Sequence, residues 1–173
     1  MFCDKEYEFS SYHFPTSKKF NLLINNSFSE LVTTNNVKRT HLFNNRYENI
    51  YVERSLIPSI LPVLNFANEC AKKTLEIESN RDIGFWFNDM PPGSTTLPHT
   101  HDDDDELLSG VYYIKVPENS GNLILTKNNN KKIIEAKEGN LILFKPTCLH
   151  EVSENKSEEQ RLSIGINFGL KKS

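Results

Sequence analysis

Cysteine is scarce in this chain: Cys3, Cys70 and Cys148 are the three present, odd in number and widely spaced. No CxxC pair occurs, which argues against a zinc knuckle or a dithiol redox centre. So few thiols fit a reducing, cytoplasmic setting. Long apolar runs are also missing, and none approaches the roughly 18 residues of a membrane span. The N-terminus, Met1 to Phe14, carries acids early and does not read as a signal peptide. No lysine or arginine stripe appears, and 20 basic residues against 23 acidic ones leave a net charge of -3. A nucleic-acid partner is therefore disfavoured, because phosphate neutralisation needs a concentrated basic surface. Glycine-rich phosphate loops and a G-x-S-x-G nucleophile elbow are absent as well. The acidic run from Asp102 to Glu106 lacks the spacing of a calcium loop, and Asp102, Asp104, Asp105 and Glu106 read as a solvated turn.

What is present fits one domain of 173 residues, long enough to bury a core. Its organisation divides into an N-terminal extension over about residues 1–80 and a core over about 81–170. The first 50 residues are polar, with short β-like pieces such as Glu30 to Thr34, and suit either completion of a sheet or cover for a site. From Ser59 to Glu78 the pattern is helical: Ile60, Leu64, Ala67, Ala71 and Leu75 share one face, and Pro62 falls in the first turn.

After Arg81 the chain reads as short strands separated by turn residues such as Pro91-Pro92-Gly93 and Asn128 to Asn130. The strands expected are 83–88, 97–101, 109–116, 122–126, 132–136, 140–144, 149–153 and 161–168. That rhythm predicts a mainly β fold, a double-stranded β-helix or jelly-roll, with the helix packed on the outside. In the last strand Arg161, Ser163, Gly165 and Asn167 share one face, and Leu162, Ile164, Ile166 and Phe168 the other.

Two imidazoles and a carboxylate carry the chemistry. His101 and Asp103 stand at i and i+2, and His150 opens a later strand that a jelly-roll can bring opposite. This ligand set is that of a non-haem Fe(II) site with open positions. Arg161, about one strand beyond His150, suits a two-pronged grip on a carboxylate co-substrate. His99 offers a second arrangement, since His99-x-His101 is also a same-face pair. A site of His99, His101 and His150 would be closer to a cupin or zinc centre. Asp103 is favoured as the ligand, with His99 at the rim. His13 and His41 read as surface residues, Cys148 as a small packed thiol, and Phe85, Trp86 and Phe87 as packing.

Over residues 83–170 the chain resembles the 2-oxoglutarate/Fe(II)-dependent dioxygenases, in particular prolyl-hydroxylase-like and small bacterial or phage members. The resemblance rests on Pro98-His-Thr-His-Asp-Asp103, Leu108-Ser-Gly-Val-Tyr-Tyr-Ile114, Gly121-Asn-Leu-Ile-Leu125, Gly139-Asn-Leu-Ile-Leu-Phe144, His150-Glu-Val152 and Arg161-Leu-Ser163. It implies Fe(II) on His101, Asp103 and His150, with 2-oxoglutarate and O2 as co-substrates. It further implies that Arg161, Ser163 and Tyr113 bind 2-oxoglutarate, Tyr112 replacing Tyr113 if the register slips. The activity implied is hydroxylation of a prolyl or other residue of a protein, or of a small molecule. The alternative is a cupin-like metal-binding module without 2-oxoglutarate turnover.

Overall fold

The structure is a computed structural model describing residues 1–101 and 105–169. Eleven strands and two helices follow one another in chain order: β1 (Phe9–His13), α1 (Ser17–Leu31), β2 (Val37–Phe43), β3 (Arg46–Val52), α2 (Leu61–Leu75), β4 (Asp82–Met90), β5 (Thr96–His99), β6 (Glu106–Lys115), β7 (Leu123–Lys127), β8 (Asn130–Ile134), β9 (Asn140–Phe144), β10 (Leu149–Val152) and β11 (Arg161–Gly169). They form two antiparallel sheets, one ordered β1-β9-β6-β11-β4-β3-β2 and the other β5-β10-β7-β8. Two facing sheets under outer helices make a double-stranded β-helix, as the strand rhythm predicts.

All of the strands expected after Arg81 are present, each within three residues of its expected ends. The helix expected over 59–78 is α2, preceded by a short 3-10 turn at Pro58–Ile60, with proline in its first turn. The first 50 residues differ from their sequence reading. Glu30 and Leu31 end a helix, and Val32 to Thr34 form no strand. Helix α1 buries Ser17, Asn21, Ile24 and Phe28, a stripe at helical spacing. Exposed Leu22 and Leu23 blur that stripe when the sequence is read linearly.

Strand β11 is central to the large sheet, lying between β4 and β6. Because side chains alternate along a strand, its two faces serve different layers. Leu162, Ile164, Ile166 and Phe168 enter the core beneath the helices, with Phe28, Ile60, Val63 and Phe87. A smaller cluster of Tyr113, Leu123, Leu125, Ile142 and Phe144 fills the space between the sheets. Burying a side chain of this size stabilises the fold by about 1.5–3 kcal/mol.

Polar groups tie the helical layer down. The buried Tyr112 hydroxyl donates to Asn21 Oδ1 at 2.7 Å, and Asn21 Nδ2 donates to the carbonyls of Tyr113 and Ile114. These bonds fix α1 on β6 and settle the parity of the tyrosine pair: Tyr112 belongs to the helix side, and Tyr113 to the space between the sheets. Among the described residues, no helix is long and apolar enough to cross a membrane.

Candidate metal and co-substrate site

Between the sheets lies a cavity of about 570 Å3, a size that suits a small organic ligand. Its floor comes from the polar face of β11: Arg161, Ser163, Gly165 and Asn167 all line it. Tyr113 of β6 stands beside them, and His99, His101 and His150 close one side.

The three histidines are brought together by strand pairing. His150 of β10 sits directly opposite His99 of β5, their ring centroids 4.2 Å apart. His101 follows two residues later, where its backbone N–H donates to Pro146 O at 2.9 Å. Its ring is 5.4 Å from that of His99 and 5.2 Å from that of His150. One ring nitrogen from each of the three lies within 4.8 Å of the other two.

Their hydrogen bonding selects which nitrogens those are. His99 Nδ1 is 2.8 Å from Leu97 O, and His150 Nδ1 is 2.9 Å from Cys148 O. A carbonyl only accepts, so both Nδ1 atoms donate, which leaves Nε2 of each ring as the nitrogen available to a metal. His101 Nδ1 lies 3.4 Å from Glu106 Oε2, which turns the same edge toward an acceptor. Burial, with the nearby imidazoles of His99 and His101, pushes His150 down to about 3. It is therefore neutral at physiological pH, the form in which imidazole binds a metal. The donor set fits a first-row divalent ion such as iron. The described histidines thus include His99, expected at the rim, whereas Asp103 lies outside the described residues.

Arg161 lines the same cavity and is 1% exposed. Its Nη1 donates to the carbonyls of Ser120 and Gly121 at 3.3 and 3.0 Å. Gly121 adopts φ +90, and a Cβ there would meet Ser153 O at 2.2 Å, so this turn requires glycine. The guanidinium Cζ lies 5.1 Å from the Tyr113 ring centroid. Arg161 Nε and the Tyr113 hydroxyl are buried with no hydrogen-bond partner among the described residues. Burial pulls the guanidinium below its ordinary range, and Tyr113 opposes that shift. Arg161 has no counter-ion among the described ion pairs, and a buried cation without one is costly. A carboxylate seated here would answer the charge and both orphaned groups, so the residues present fit 2-oxoglutarate.

Two features of the cavity depart from the sequence reading, and one, at His41, adds to it. Trp86 was expected to be packing, but only Phe85 and Phe87 enter the core; Trp86 lines the cavity and stacks on His101 at 6.1 Å. The signal was available, since Trp86 shares its strand face with polar Asn88. His41, expected on the surface, is exposed but lies at the cavity mouth with Asn49 and Tyr51. Glu106, read as part of a solvated acidic turn, begins β6 with its side chain 3% exposed. Cys148 is half-buried, and its thiol lies outside the histidine group.

Comparison with known proteins agrees with this geometry. Residues 85–169 match the model of the 2OG-Fe(II) oxygenase superfamily. No curated protein sequence matches the chain. Among solved structures, a Pseudomonas putida prolyl-4-hydroxylase is similar at TM-score 0.66 and 18% identity, covering 95% of this chain and 89% of that one. A Trichoplax adhaerens prolyl hydroxylase, in complex with a hypoxia inducible factor oxygen degradation domain peptide, gives TM-score 0.68 at 16% identity over 94% and 84% of the two chains. A viral collagen prolyl hydroxylase from Paramecium Bursaria Chlorella virus-1, in its 2OG complex, gives 0.66 at 18% over 98% and 99%. At such identities the structural likeness speaks for the fold, and the family match covers the segments that carry the three histidines, Tyr113, Arg161 and Ser163. The chain belongs to the 2OG-Fe(II) oxygenase superfamily, a family of oxidoreductases that use Fe(II), 2-oxoglutarate and O2.

Proposed function

We propose that His99, His101 and His150 hold the iron, and that Arg161, Ser163 and Tyr113 bind the distal carboxylate of 2-oxoglutarate. The observation that carries this reading is the pairing of two unmet needs in one cavity. One ring nitrogen from each of three histidines converges in it, and a buried guanidinium with no anion among its described partners lines the same space. A ligand set of His101, Asp103 and His150 is the second reading, favoured by the i, i+2 spacing of the first two residues.

When bound, the iron supplies activation of O2 coupled to oxidative decarboxylation of 2-oxoglutarate. The protein's own residues do the rest. Arg161 orients the co-substrate by its charge, and Ser163, 3% exposed, offers a hydroxyl beside it. Leu123 and Phe144 line the same cavity and exclude water from it. Trp86 walls the side toward the mouth.

The substrate proposed is a prolyl or other residue of a protein. Beyond Trp86 the cavity opens toward Asn49, Tyr51 and His41 on β3 and β2, groups that suit the amides of an extended peptide. Three unpaired cysteines, Cys3 exposed, Cys70 buried and Cys148 between, support a reducing, cytoplasmic location. Oxygen incorporation into small metabolites, with none into proline-containing peptides, would redirect the substrate assignment.

The test is an anaerobic titration of Fe(II)-loaded protein with 2-oxoglutarate, followed through the visible metal-to-ligand charge-transfer band. We expect the band in wild type and its loss in His150→Ala. Arg161→Ala should keep iron but need about a hundredfold more co-substrate, because truncating one side of a buried charge pair costs about 2–5 kcal/mol. Loss of iron in Asp103→Ala with retention in His99→Ala would select the second reading. Stoichiometric iron with no band would point instead to a cupin-like module without turnover.

A further inference from the structure

A site of three neutral imidazoles leaves the full charge of a divalent ion uncompensated by its protein ligands. The structure places a carboxylate directly behind one of them. Glu106 Oε2 lies 3.4 Å from His101 Nδ1, and the glutamate side chain is 3% exposed. Its other oxygen, Oε1, accepts a hydrogen bond from Ser109 Oγ at 2.6 Å. Ser109 is itself buried, at 2% exposure, and lines the same cavity. Burying a carboxylate this deeply is expensive unless a positive group or donor answers it. Among the described ion pairs, its one partner is His101.

We propose that Glu106 is a positioning residue of the metal centre, resting on the reading that His99, His101 and His150 hold the ion. It accepts the N–H of His101 Nδ1, so that Nε2 is the nitrogen left for the ion and the ring keeps its aim. It also returns, one bond further out, the negative charge that a carboxylate ligand would have carried. Carboxylate–histidine–metal arrangements raise ligand basicity and fix the tautomer. The other two histidines are held by backbone carbonyls, Leu97 O and Cys148 O, which orient without charge. Glu106 is thus the charged member of the three supports, and Ser109 fixes the oxygen that faces away from the imidazole. His101 also carries the stacked Trp86 indole on its ring, so its orientation matters to the cavity wall as well as to the ion.

The experiment is a Co(II) titration of the metal-free protein, read by the visible d–d bands and by the dissociation constant. It is run on wild type, His99→Ala, Glu106→Gln, Glu106→Asp and Ser109→Ala. Glu106→Gln should weaken Co(II) binding about 10–100-fold and shift the bands, a range that mutated supports of metal-bound histidines show. Its melting temperature without metal should stay near that of wild type, which separates a metal role from a packing role. Glu106→Asp, retaining the charge, should recover part of the affinity, and Ser109→Ala should lose less than Glu106→Gln. Wild-type affinity and bands in Glu106→Gln would overturn the proposal while the ligand assignment stood. Equal weakness in Glu106→Gln and Glu106→Asp would overturn the charge role. Unchanged affinity in His99→Ala would overturn the ligand reading, and with it the need for an outer charge.

Discussion

Gly165 and Trp86 face each other across β11 and β4, and one explains the other. A Cβ on Gly165 would lie 2.3 Å from Trp86 Cε2 and 2.7 Å from Nε1, so the indole rests directly on glycine backbone. No other residue type permits that approach. Gly165→Ala should therefore push the indole off its seat and cost about 1–3 kcal/mol of stability through overpacking. Trp86 is the one tryptophan in the chain, so its emission reports on this position without background. The variant should show a shifted emission maximum; a spectrum superimposable on wild type would mean that the indole had not moved. The strand alternation of Phe85, Trp86 and Phe87 was legible in the sequence. Which face met the helices was not, because both faces of β4 carry large aromatic rings.

The hairpin of β2 and β3 extends the large sheet past β4 and borders the cavity mouth. Arg46, at the start of β3, latches it in place. Its guanidinium donates to Asn88 Oδ1 at 3.0 Å, to Asp89 O at 3.2 Å and to Thr95 O at 2.7 Å, and pairs with Glu48 at 2.9 Å. Truncating such a hub strands several partly buried acceptors, at about 1–3 kcal/mol. Arg46→Ala should speed amide exchange about tenfold or more across residues 37–52, corresponding to about 1.4 kcal/mol of local opening. Protection in α2 and β11 should be unaffected. Unaltered exchange in 37–52 would show that strand pairing alone holds the hairpin. The polar, asparagine-rich composition of this segment hid it from periodicity, since its side chains meet the cavity mouth and solvent more than a core.

At the level of the molecule, stability should respond to a carboxylate that the fold holds at a disadvantage. Burial raises Asp89 above its ordinary value of 3.8, while a hydrogen bond from Gln160 and the charge of Arg46 oppose the shift. With the folded value above the unfolded one, the ionised form is the one the fold penalises. That penalty is complete above the folded value and disappears as pH falls below 3.8. Asp89→Asn should accordingly raise the melting temperature at pH 7, with the gain shrinking toward zero below that value. A variant melting lower than wild type at pH 7 would show that the Arg46 and Gln160 contacts outweigh the burial cost.

The β-rich class, the outer helix α2 and the strand order after Arg81 were written in local patterns: alternation, helical spacing and turn residues. Those patterns reflect forces acting over a few residues, so they survive without knowledge of the fold. That His101, His150 and Arg161 belong to one cavity was legible too, from residue type and spacing, while His99 was read only at its rim. What needed three dimensions was which residues meet. Pairing of β5 with β10 places His99 opposite His150, and a register shifted by one residue would have turned either ring to the other face. Helix α1, the hairpin latch at Arg46 and the carboxylate of Glu106 behind His101 depend on contacts between segments far apart in the chain or across a turn. Local sequence cannot specify such contacts, because the burial that gives a charge like Glu106 its partner exists only once the sheets have closed.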